Sequence, residues 1–181
     1  MLAAFGRAVD RLGGAYVTAE DVGMTDADMV AIAQQTRHVS GLPVASGAAG
    51  GDPGPLTALG VYLGIRAAIS HHLGTDSARD VHIAIQGVGS VGGGVARRLA
   101  ADGARLTLAD VNLARAKALA EELGADLADS AAIMDVDADV FSPNALGAIL
   151  TEDSIARLKA PIIAGGANNQ LARPEHGTKL A

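Results

Sequence analysis

Residues 81–101, which read VHIAIQGVGSVGGGVARRLAA, decide the fold class. The stretch opens with a short apolar run, Val81–Ile85, that is typical of a buried strand, and it ends in a helical pattern, Val91–Ala101. Between the two lie glycines at GxGxxG spacing: Gly87, Gly89 and Gly92. A glycine pattern placed between a strand and a helix is typical of a turn that binds a dinucleotide.

Each of these glycines has a physical role in such a turn. Gly87 permits the tight turn, Gly89 lets the backbone approach a pyrophosphate, and Gly92 allows the helix to pack closely on the strand. The pyrophosphate lies at the helix N-terminus, where N–H groups and the helix dipole favour an anion. The predicted cofactor contacts are therefore the residues of the turn: Gly87, Val88, Gly89, Ser90, Val91 and Gly92.

Strand and helix patterns alternate after the polar stretch Gly74–Asp80. The predicted strands are Val81–Ile85, Arg105–Ala109, Ala138–Phe141 and Pro161–Ala164. The predicted helices between them are Val91–Ala101, Leu113–Leu123 and Thr151–Leu158. This βαβα order predicts an α/β fold, a doubly wound parallel sheet with helices on both faces.

The chain before residue 74 has mainly helical patterns, at Leu2–Leu12, Thr25–Thr36 and Leu56–Leu73. The last of these places Leu56, Leu59, Leu63 and Ala67 on one face. Residues 39–55 are rich in Gly, Ala, Ser and Pro and are predicted to form a loop. The segment Ala15–Thr18 is predicted to be a strand, although no partner strand is evident before residue 74.

Composition and charge narrow the classes of function. Of the 181 residues 49% are hydrophobic and 19% are charged, and the net charge is −6. The basic residues are scattered along the sequence and form no patch that would bind a nucleic acid. The absence of cysteine suits a reducing compartment. The longest strongly apolar run, Leu56–Ile65, is too short to cross a bilayer, which needs about 20 residues. We therefore expect a cytoplasmic protein that binds neither nucleic acid nor membranes and has no metal site.

Asp110 ends the second predicted strand, 23 residues beyond Gly87, close to the spacing of about 20 expected for a ribose-binding carboxylate. Its charge repels a 2′-phosphate, so NAD is expected in preference to NADP. The alternative role, capping the next helix, can coexist with ribose binding. Arg115 lies over the adenine, lends tolerance to NADP, or is a solvated surface arginine.

Three further positions allow a functional or a structural interpretation. Glu20 and Asp21 follow a predicted strand and are candidates for acid/base groups or for helix caps. Thr57 lies near a helix start, where its hydroxyl can face a ligand or serve the helix alone. Asn168 and Asn169 follow the last strand, at the sheet edge where doubly wound folds bind ligands, although asparagine is also a common turn residue.

Taken together, six strings resemble the Glu/Leu/Phe/Val dehydrogenases, and within them the leucine, valine and phenylalanine dehydrogenase branch. The strings are FGRAVDRLGGAYVTAEDVGM, DMVAIAQQT, GDPGPLTALGVYLGIRAA, IAIQGVGSVGGGVARRLAADGARL, DVFSPNALG and AGGANNQLA. The resemblance implies a Rossmann domain and the reversible, NAD-dependent oxidative deamination of an aliphatic or aromatic L-amino acid to its 2-oxo acid and ammonia.

The resemblance also implies roles for individual residues. Asp21 matches the acidic residue that assists proton transfer at the substrate nitrogen and the attacking water. Thr57 matches a cofactor contact, Asp110 matches the ribose carboxylate, and Ser142 with Pro143 matches the stretch that lines the cofactor crevice. The two asparagines match residues beside the nicotinamide, Asn168, and the substrate carboxylate, Asn169.

Two departures from the family pattern bear on the function. Asn144 stands where the family commonly has cysteine. None of the lysines, Lys117, Lys159 and Lys179, can be matched to the family's essential lysine, which lies in a glycine-rich segment of a substrate domain. We expect residues 1–38 to be a remnant of that domain and residues 39–181 to be the dinucleotide-binding domain, incomplete at its C-terminus.

Two hypotheses of function follow. In the first, the chain is the NAD-binding part of an amino-acid dehydrogenase, is inactive alone, and forms a homo-oligomer when full length. In the second, it is a protein derived from that family that binds NAD(H) or serves in assembly without catalysis. The missing lysine favours the hypothesis of a binding protein without catalysis for the isolated chain. The strings around Asp21 and Asn168 indicate descent from a catalytic amino-acid dehydrogenase.

Overall fold

The computed structural model describes residues 1–21, 23–43 and 50–180. The chain forms two compact units, Met1–Pro53 and Gly54–Ala181. The division predicted between residues 38 and 39 falls inside the first of these units. Of the segment Val39–Pro55 that was predicted to be a loop, residues 40–43 and 50–53 form loop and Gly54 and Pro55 begin a helix, while residues 44–49 lie outside the described residues.

The first unit contains two helices, α1 (Leu2–Arg11) and α2 (Asp26–Ala33). They pack closely at Gly6, because a Cβ added there would lie 2.8 Å from the Gln35 Cβ. Thr25 caps α2 in a capping box with Asp28, so two N-terminal backbone N–H groups are paired by side chains. Met29 and Ile32 of α2 are buried.

The predicted strand Ala15–Thr18 is wrong. Thr18 forms a single parallel bridge with Val39, in which the Thr18 N–H donates to the His38 carbonyl at 3.0 Å and the Ser40 N–H donates to the Thr18 carbonyl at 2.7 Å. The partner thus comes from the segment predicted to be a loop. Tyr16 and Val17 are about half exposed, so the apolar character that suggested a strand does not reflect burial within the described structure.

The second unit begins with a long helix, α3 (Gly54–Leu73), and continues as alternating strands and helices. In chain order these are β1 (His82–Gln86), α4 (Ser90–Ala101), β2 (Arg105–Ala109), α5 (Leu113–Leu123), β3 (Asp126–Leu127), a 3-10 turn (Ile133–Asp135), β4 (Val140–Pro143), α6 (Glu152–Arg157), β5 (Ile162–Ile163) and α7 (Glu175–Leu180). The predicted strands and helices of this unit are confirmed to within about two residues at each end.

The strands form one parallel sheet in the order β3-β2-β1-β4-β5. The chain runs outward from β1 to β3, then returns to the other side of β1 with β4. The order reverses between β1 and β4, and in doubly wound folds ligands bind at the carboxyl ends of the strands at that point. The doubly wound parallel sheet predicted from the sequence is therefore confirmed.

Apolar side chains cover both faces of the sheet. On one face, Ile83 and Ile85 of β1 pack with residues of α3, α4 and α5, among them Ile65 and Leu99. On the other face, Ala84 packs with Phe141 and with residues around the 3-10 turn and α6. Burial on both sides explains why the strands are nearly continuous in apolar residues.

The apolar face predicted for α3 is not its buried face. Leu56 and Leu63 are 77% and 55% exposed, whereas Ala58, Ile65 and Ile69 are completely buried. The reason is a close crossing with α4, where a Cβ added at Gly94 would lie 2.8 Å from the Ala58 Cβ. Small residues at the crossing decide which side of α3 turns inward.

The sequence patterns did not predict β3, the 3-10 turn or α7. Each contains six residues or fewer, and the hydrophobic residues of none of them repeat with the period of a strand or a helix. Residue His176 of α7 is nevertheless buried, and its Nδ1 lies 2.8 Å from the Leu150 carbonyl oxygen. Among the described residues, no helix is both long and apolar enough to cross a membrane.

Candidate dinucleotide-binding site

The turn between β1 and α4 lies at the reversal of strand order. Gly87 has φ +83°, in the left-handed region that favours glycine. A Cβ at Gly87 would lie 2.8 Å from the Ala145 backbone nitrogen, and a Cβ at Gly92 would overlap the Gly87 carbonyl oxygen. Both glycines are therefore required by the backbone itself, in the roles that the sequence predicted for them.

Gly89 stands at the open side of this turn. It is the N-cap of α4, no side chain caps the helix within the described structure, and its first turn carries no acidic residue. A Cβ at Gly89 would meet only the Arg115 guanidinium, at 3.8 Å. The N-terminus of α4 is thus positively polarised and carries no acidic residue in its own first turn, which favours an anion there.

Asp110 lies beside this turn with its side chain only 7% exposed. Its Oδ2 accepts a hydrogen bond from the Val88 N–H at 2.8 Å, and its Oδ1 accepts one from the Asn112 N–H at 2.8 Å. Asp110 does not cap α5, because the Asn112 side chain does so by accepting from the Arg115 N–H at 3.1 Å. A carboxylate has about four lone-pair positions, so two remain for ribose hydroxyls.

Arg115 is part of the same constellation. Its guanidinium nitrogen lies 3.9 Å from Asp110 Oδ2, and about half of its side chain is exposed. It therefore forms a loose ion pair with Asp110, although a half-exposed ion pair contributes little to stability. The cation beside Asp110 partly offsets the negative charge that a 2′-phosphate would meet.

The carboxyl end of β4 lies on the other side of β1 from Asp110, which follows β2. Ser142 is fully buried, and its Oγ accepts from Asn144 Nδ2 at 2.9 Å. Asn144 Oδ1 accepts from the Gly166 N–H at 2.9 Å, so this amide ties the loop after β4 to the loop after β5. Pro143 is buried at the end of the strand. The sequence identified Asn144 only as a departure from the family, not as this link.

Asn168 and Asn169 are exposed in the loop after β5. Asn169 has φ +46°, a left-handed conformation that asparagine tolerates, and its carbonyl accepts from the Ala148 N–H at 2.6 Å. They are therefore turn residues at the carboxyl edge of the sheet, which agrees with the turn interpretation given for them from the sequence. Thr57 is exposed in the first turns of α3.

Asp21 and Glu20 belong to the first unit. Asp21 is exposed, and its carbonyl accepts from the Met24 N–H at 3.0 Å. Thr25 caps α2, so the interpretation of these two carboxylates as its caps is wrong. Burial, together with the negative charges of Asp26 and Asp52, raises the pKa of Glu20.

Two residues that the sequence did not single out also lie at the second unit's site, Gln86 and Ser130. Both line a small cavity beside Asp110. Gln86 directly precedes the glycine turn, which is a positional signal, but nothing in the sequence marks Ser130. No three acidic or histidine side chains among the described residues lie close enough to hold a metal ion.

The chain is similar in sequence and in structure to known amino-acid dehydrogenases. A leucine dehydrogenase from Thermoactinomyces intermedius is 43% identical over 180 residues, which is 99% of this chain and 49% of that protein. A valine dehydrogenase from Streptomyces coelicolor is 41% identical over 177 residues, or 96% of this chain and 48% of that protein. The crystal structure of L-tryptophan dehydrogenase from Nostoc punctiforme matches with a TM-score of 0.75 at 37% identity, covering 99% of this chain and 50% of that one.

The chain belongs to the Glu/Leu/Phe/Val dehydrogenase family. The resemblance of the six strings is thereby confirmed. The chain spans about half the length of the curated relatives it matches. No protein-family model matches it. In this family the parallel sheet is the Rossmann domain, so the fold predicted from residues 81–101 and its family assignment agree.

Proposed function

We propose that the second unit binds NAD(H) at the carboxyl edge of its sheet. The N-terminus of α4 holds the pyrophosphate, and Asp110 accepts the hydroxyls of the adenosine ribose. On the nicotinamide side, the exposed residues Thr57 and Asn168 contact the cofactor, and the buried strand end Ser142–Pro143 supports that wall of the crevice. The observation that carries the proposal is the anchored Asp110 carboxylate, which lies against the glycine turn with lone pairs to spare.

The residues present fit this cofactor in shape and charge. The N-terminus of α4 has no side-chain cap hydrogen bond in the described structure and no acidic residue in its first turn, so its charge distribution suits a phosphate. Substitution of Gly87 or Gly92 would close the turn. Asp110 disfavours a 2′-phosphate, and Arg115 at 3.9 Å weakens that effect, so the expected preference for NADH over NADPH is moderate.

We further propose that the whole protein catalyses the reversible oxidative deamination of a branched-chain or aromatic L-amino acid. Bound NAD, held by the glycine turn and Asp110, would supply the hydride acceptor for the substrate α-carbon. Asp21 moves the proton at the substrate nitrogen and at the attacking water, and the amide of Asn169 donates to the substrate carboxylate. Supporting this, the relatives are named as dehydrogenases of leucine, valine and tryptophan. A homo-oligomer is expected for the whole protein.

Within the chain itself, the lysines do not supply the family's essential amine. Lys179 of α7 pairs with Glu152, and Lys117 and Lys159 are exposed on and after other helices. As the sole acid/base group, a carboxylate at Asp21 would repel negative charge developing on the carbinolamine oxygen. The 181-residue chain alone therefore binds the cofactor without useful turnover, which is the point of agreement between the two hypotheses.

Titration of the chain with NADH and NADPH, followed by nicotinamide fluorescence, tests the binding proposal. NADH is expected to bind more tightly than NADPH. Equal affinities for the two would contradict the assignment of Asp110. An exposed residue outside the site, Ser77, provides a control, because Ser77→Ala should leave both affinities unchanged.

A second assay follows NADH formation from Leu, Val and Phe at alkaline pH, with and without a separately supplied N-terminal half of a family member. Turnover is expected only with that half. In the complemented system Asp21→Asn should lower turnover by about 10²-fold or more without weakening NADH binding. Robust turnover by the chain alone would show that the missing lysine is not essential here.

A further inference from the structure

Two loops at the carboxyl edge of the second unit's sheet are joined through the side chain of Asn144. This residue follows β4, and its Oδ1 accepts a hydrogen bond at 2.9 Å from the N–H of Gly166, in the loop after β5. Its Nδ2 donates to the Ser142 carbonyl oxygen at 3.0 Å and to the Ser142 Oγ at 2.9 Å. One amide group therefore connects the ends of two neighbouring strands.

The partners of this amide fix its orientation. A backbone carbonyl can only accept and a backbone N–H can only donate, so Nδ2 must face Ser142 and Oδ1 must face Gly166. The Asn144 backbone is held as well, because its N–H donates to the Gln86 carbonyl at 2.7 Å. Cysteine, which the family commonly has at this position, offers only a weak donor and a weak acceptor. The link is therefore a property of the asparagine in this chain.

The segment that the amide holds has little rigidity of its own. Gly165 and Gly166 are consecutive glycines, and glycine restricts the backbone less than any other residue does. Gly165 is required by a close approach, because a Cβ there would overlap the Pro143 carbonyl oxygen. Asn168, which is proposed to contact the cofactor, follows two residues after Gly166. The hydrogen bond to the Gly166 N–H thus fixes the backbone that leads to Asn168.

The same side chain lies against the helix that is proposed to hold the pyrophosphate. A Cβ added at Gly92, in the first turn of α4, would lie 3.0 Å from the Asn144 Cβ. A Cβ added at Gly166 would lie 3.2 Å from Asn144 Oδ1 and 3.2 Å from Cγ1 of Val91, which belongs to the same turn of α4. Asn144 therefore lies between the proposed pyrophosphate site and the loop of Asn168.

We infer that Asn144 is a positioning residue for the nicotinamide half of the cofactor. Its amide holds the loop of Asn168 at a fixed place relative to the glycine turn, so the nicotinamide meets a preformed wall. This inference rests on the proposed binding of NAD(H). Contacts with a preformed loop cost less conformational entropy than contacts with a loop that must be ordered on binding. The adenosine half is held at Asp110, on the other side of β1 from β4, so its binding does not depend on this link.

The test compares NADH with ADP-ribose, which has the same adenosine, pyrophosphate and net charge but lacks the nicotinamide. Nicotinamide fluorescence measures the affinity for NADH, and displacement of NADH measures the affinity for ADP-ribose. The unaltered chain is expected to bind NADH about tenfold more tightly than ADP-ribose. Asn144→Leu and Asn144→Ala remove the acceptor and the donor of the amide. Each should reduce this ratio to about threefold or less, by weakening the binding of NADH.

A conservative variant separates the link to Gly166 from a general structural role. Asn144→Asp keeps an acceptor for the Gly166 N–H, so it should retain a ratio of about tenfold. Its negative charge should weaken both ligands equally, because they share the pyrophosphate, and the ratio cancels that effect. Tyr62→Phe is the matched control, since it removes another side-chain hydrogen bond between two elements, from the Tyr62 hydroxyl to Asp102 Oδ2 at 2.7 Å. It should leave the ratio unchanged.

The outcomes separate this inference from the proposal on which it rests. Equal affinities of the unaltered chain for NADH and ADP-ribose overturn the positioning role while NAD(H) binding stands. A ratio that neither Asn144→Leu nor Asn144→Ala changes also overturns it, and so does a ratio in Asn144→Asp as low as in those two variants. If neither ligand binds to the unaltered chain, the proposed function itself fails. A folding defect in Asn144→Leu leaves Asn144→Ala as the test.

Discussion

The Asp110 carboxylate accepts a hydrogen bond from the backbone N–H of Val88 at 2.8 Å. This bond joins the end of β2 to the middle of the glycine turn that follows β1. The residue proposed to bind ribose is therefore also a structural support of the proposed pyrophosphate turn. A substitution at Asp110 can therefore act by removing the negative charge or by removing the hydrogen bond from the Val88 N–H, and the two effects must be measured separately.

Asp110→Asn and Asp110→Ala separate the two effects. Asp110→Asn removes the charge and should therefore reduce the preference for NADH over NADPH by about tenfold. Asparagine keeps a carbonyl acceptor for one of the two N–H groups, so this variant should lose less stability than Asp110→Ala. Alanine leaves the buried Val88 N–H unpaired, which costs about 1–3 kcal/mol. Urea denaturation together with the two titrations measures both. An unaltered cofactor preference in Asp110→Asn would show that the charge does not select the cofactor.

Arg115→Ala is expected to have the opposite effect on specificity. Its guanidinium lies 3.9 Å from Asp110 Oδ2 and is the cation that a 2′-phosphate would meet. Removing it should weaken NADPH binding more than NADH binding, and so raise the NADH preference several-fold. Lys117→Ala on the same helix is the matched control, because it removes one positive charge from an exposed position. If both variants changed the preference for NADH over NADPH equally, Arg115 would act only through the net charge of the chain.

Gly92→Ala tests the close packing of α4 on the turn. A Cβ at this position would overlap the Gly87 carbonyl oxygen, so the helix must shift. We expect a loss of about 1–3 kcal/mol in the free energy of unfolding and the loss of NADH binding. Gly60→Ala in α3 is the control: nothing lies within 4 Å of its added Cβ, and the change should stabilise the helix by about 0.5–1 kcal/mol. Urea denaturation of both variants decides.

The raised pKa of Glu20 predicts a dependence of stability on pH. Burial and the charges of Asp26 and Asp52 make the folded chain hold this proton more tightly than the unfolded chain does. The stabilising contribution is thus present below the ordinary glutamate pKa and is lost as the pH rises through the raised value. Glu20→Gln should therefore be more stable than the unaltered chain at pH 7, with a smaller difference near pH 4.

Urea denaturation at the two pH values measures this difference. Glu121→Gln in α5 provides a matched control, because Glu121 is exposed and the substitution is the same. A stability gain in Glu20→Gln that is as large at pH 4 as at pH 7 would contradict ionisation of Glu20 as its cause. The prediction is independent of cofactor binding, since Glu20 lies in the first unit.

Much of the fold follows from local sequence patterns. The strands β1 and β2 and the helices α4 and α5 could be predicted because their hydrophobic residues repeat with the period of each structure. The glycine turn could be predicted because only glycine satisfies its backbone. The structure of Ala15–Thr18 could not be predicted, and a strand was expected there wrongly. The single bridge that Thr18 forms depends on Val39, a partner about twenty residues away that carries no strand pattern of its own.

By itself, the sequence determined the doubly wound class, the position of the glycine turn and the carboxylate at the end of β2, because each is encoded in neighbouring residues. Only the tertiary structure decided which face of α3 is buried, since that depends on the contact of Ala58 with Gly94. Tertiary structure also placed Gln86 and Ser130 at one cavity, although 44 residues separate them in the chain. The reason is physical: pairing of parallel strands brings the ends of distant segments to one edge, and no local pattern records which side chains meet there.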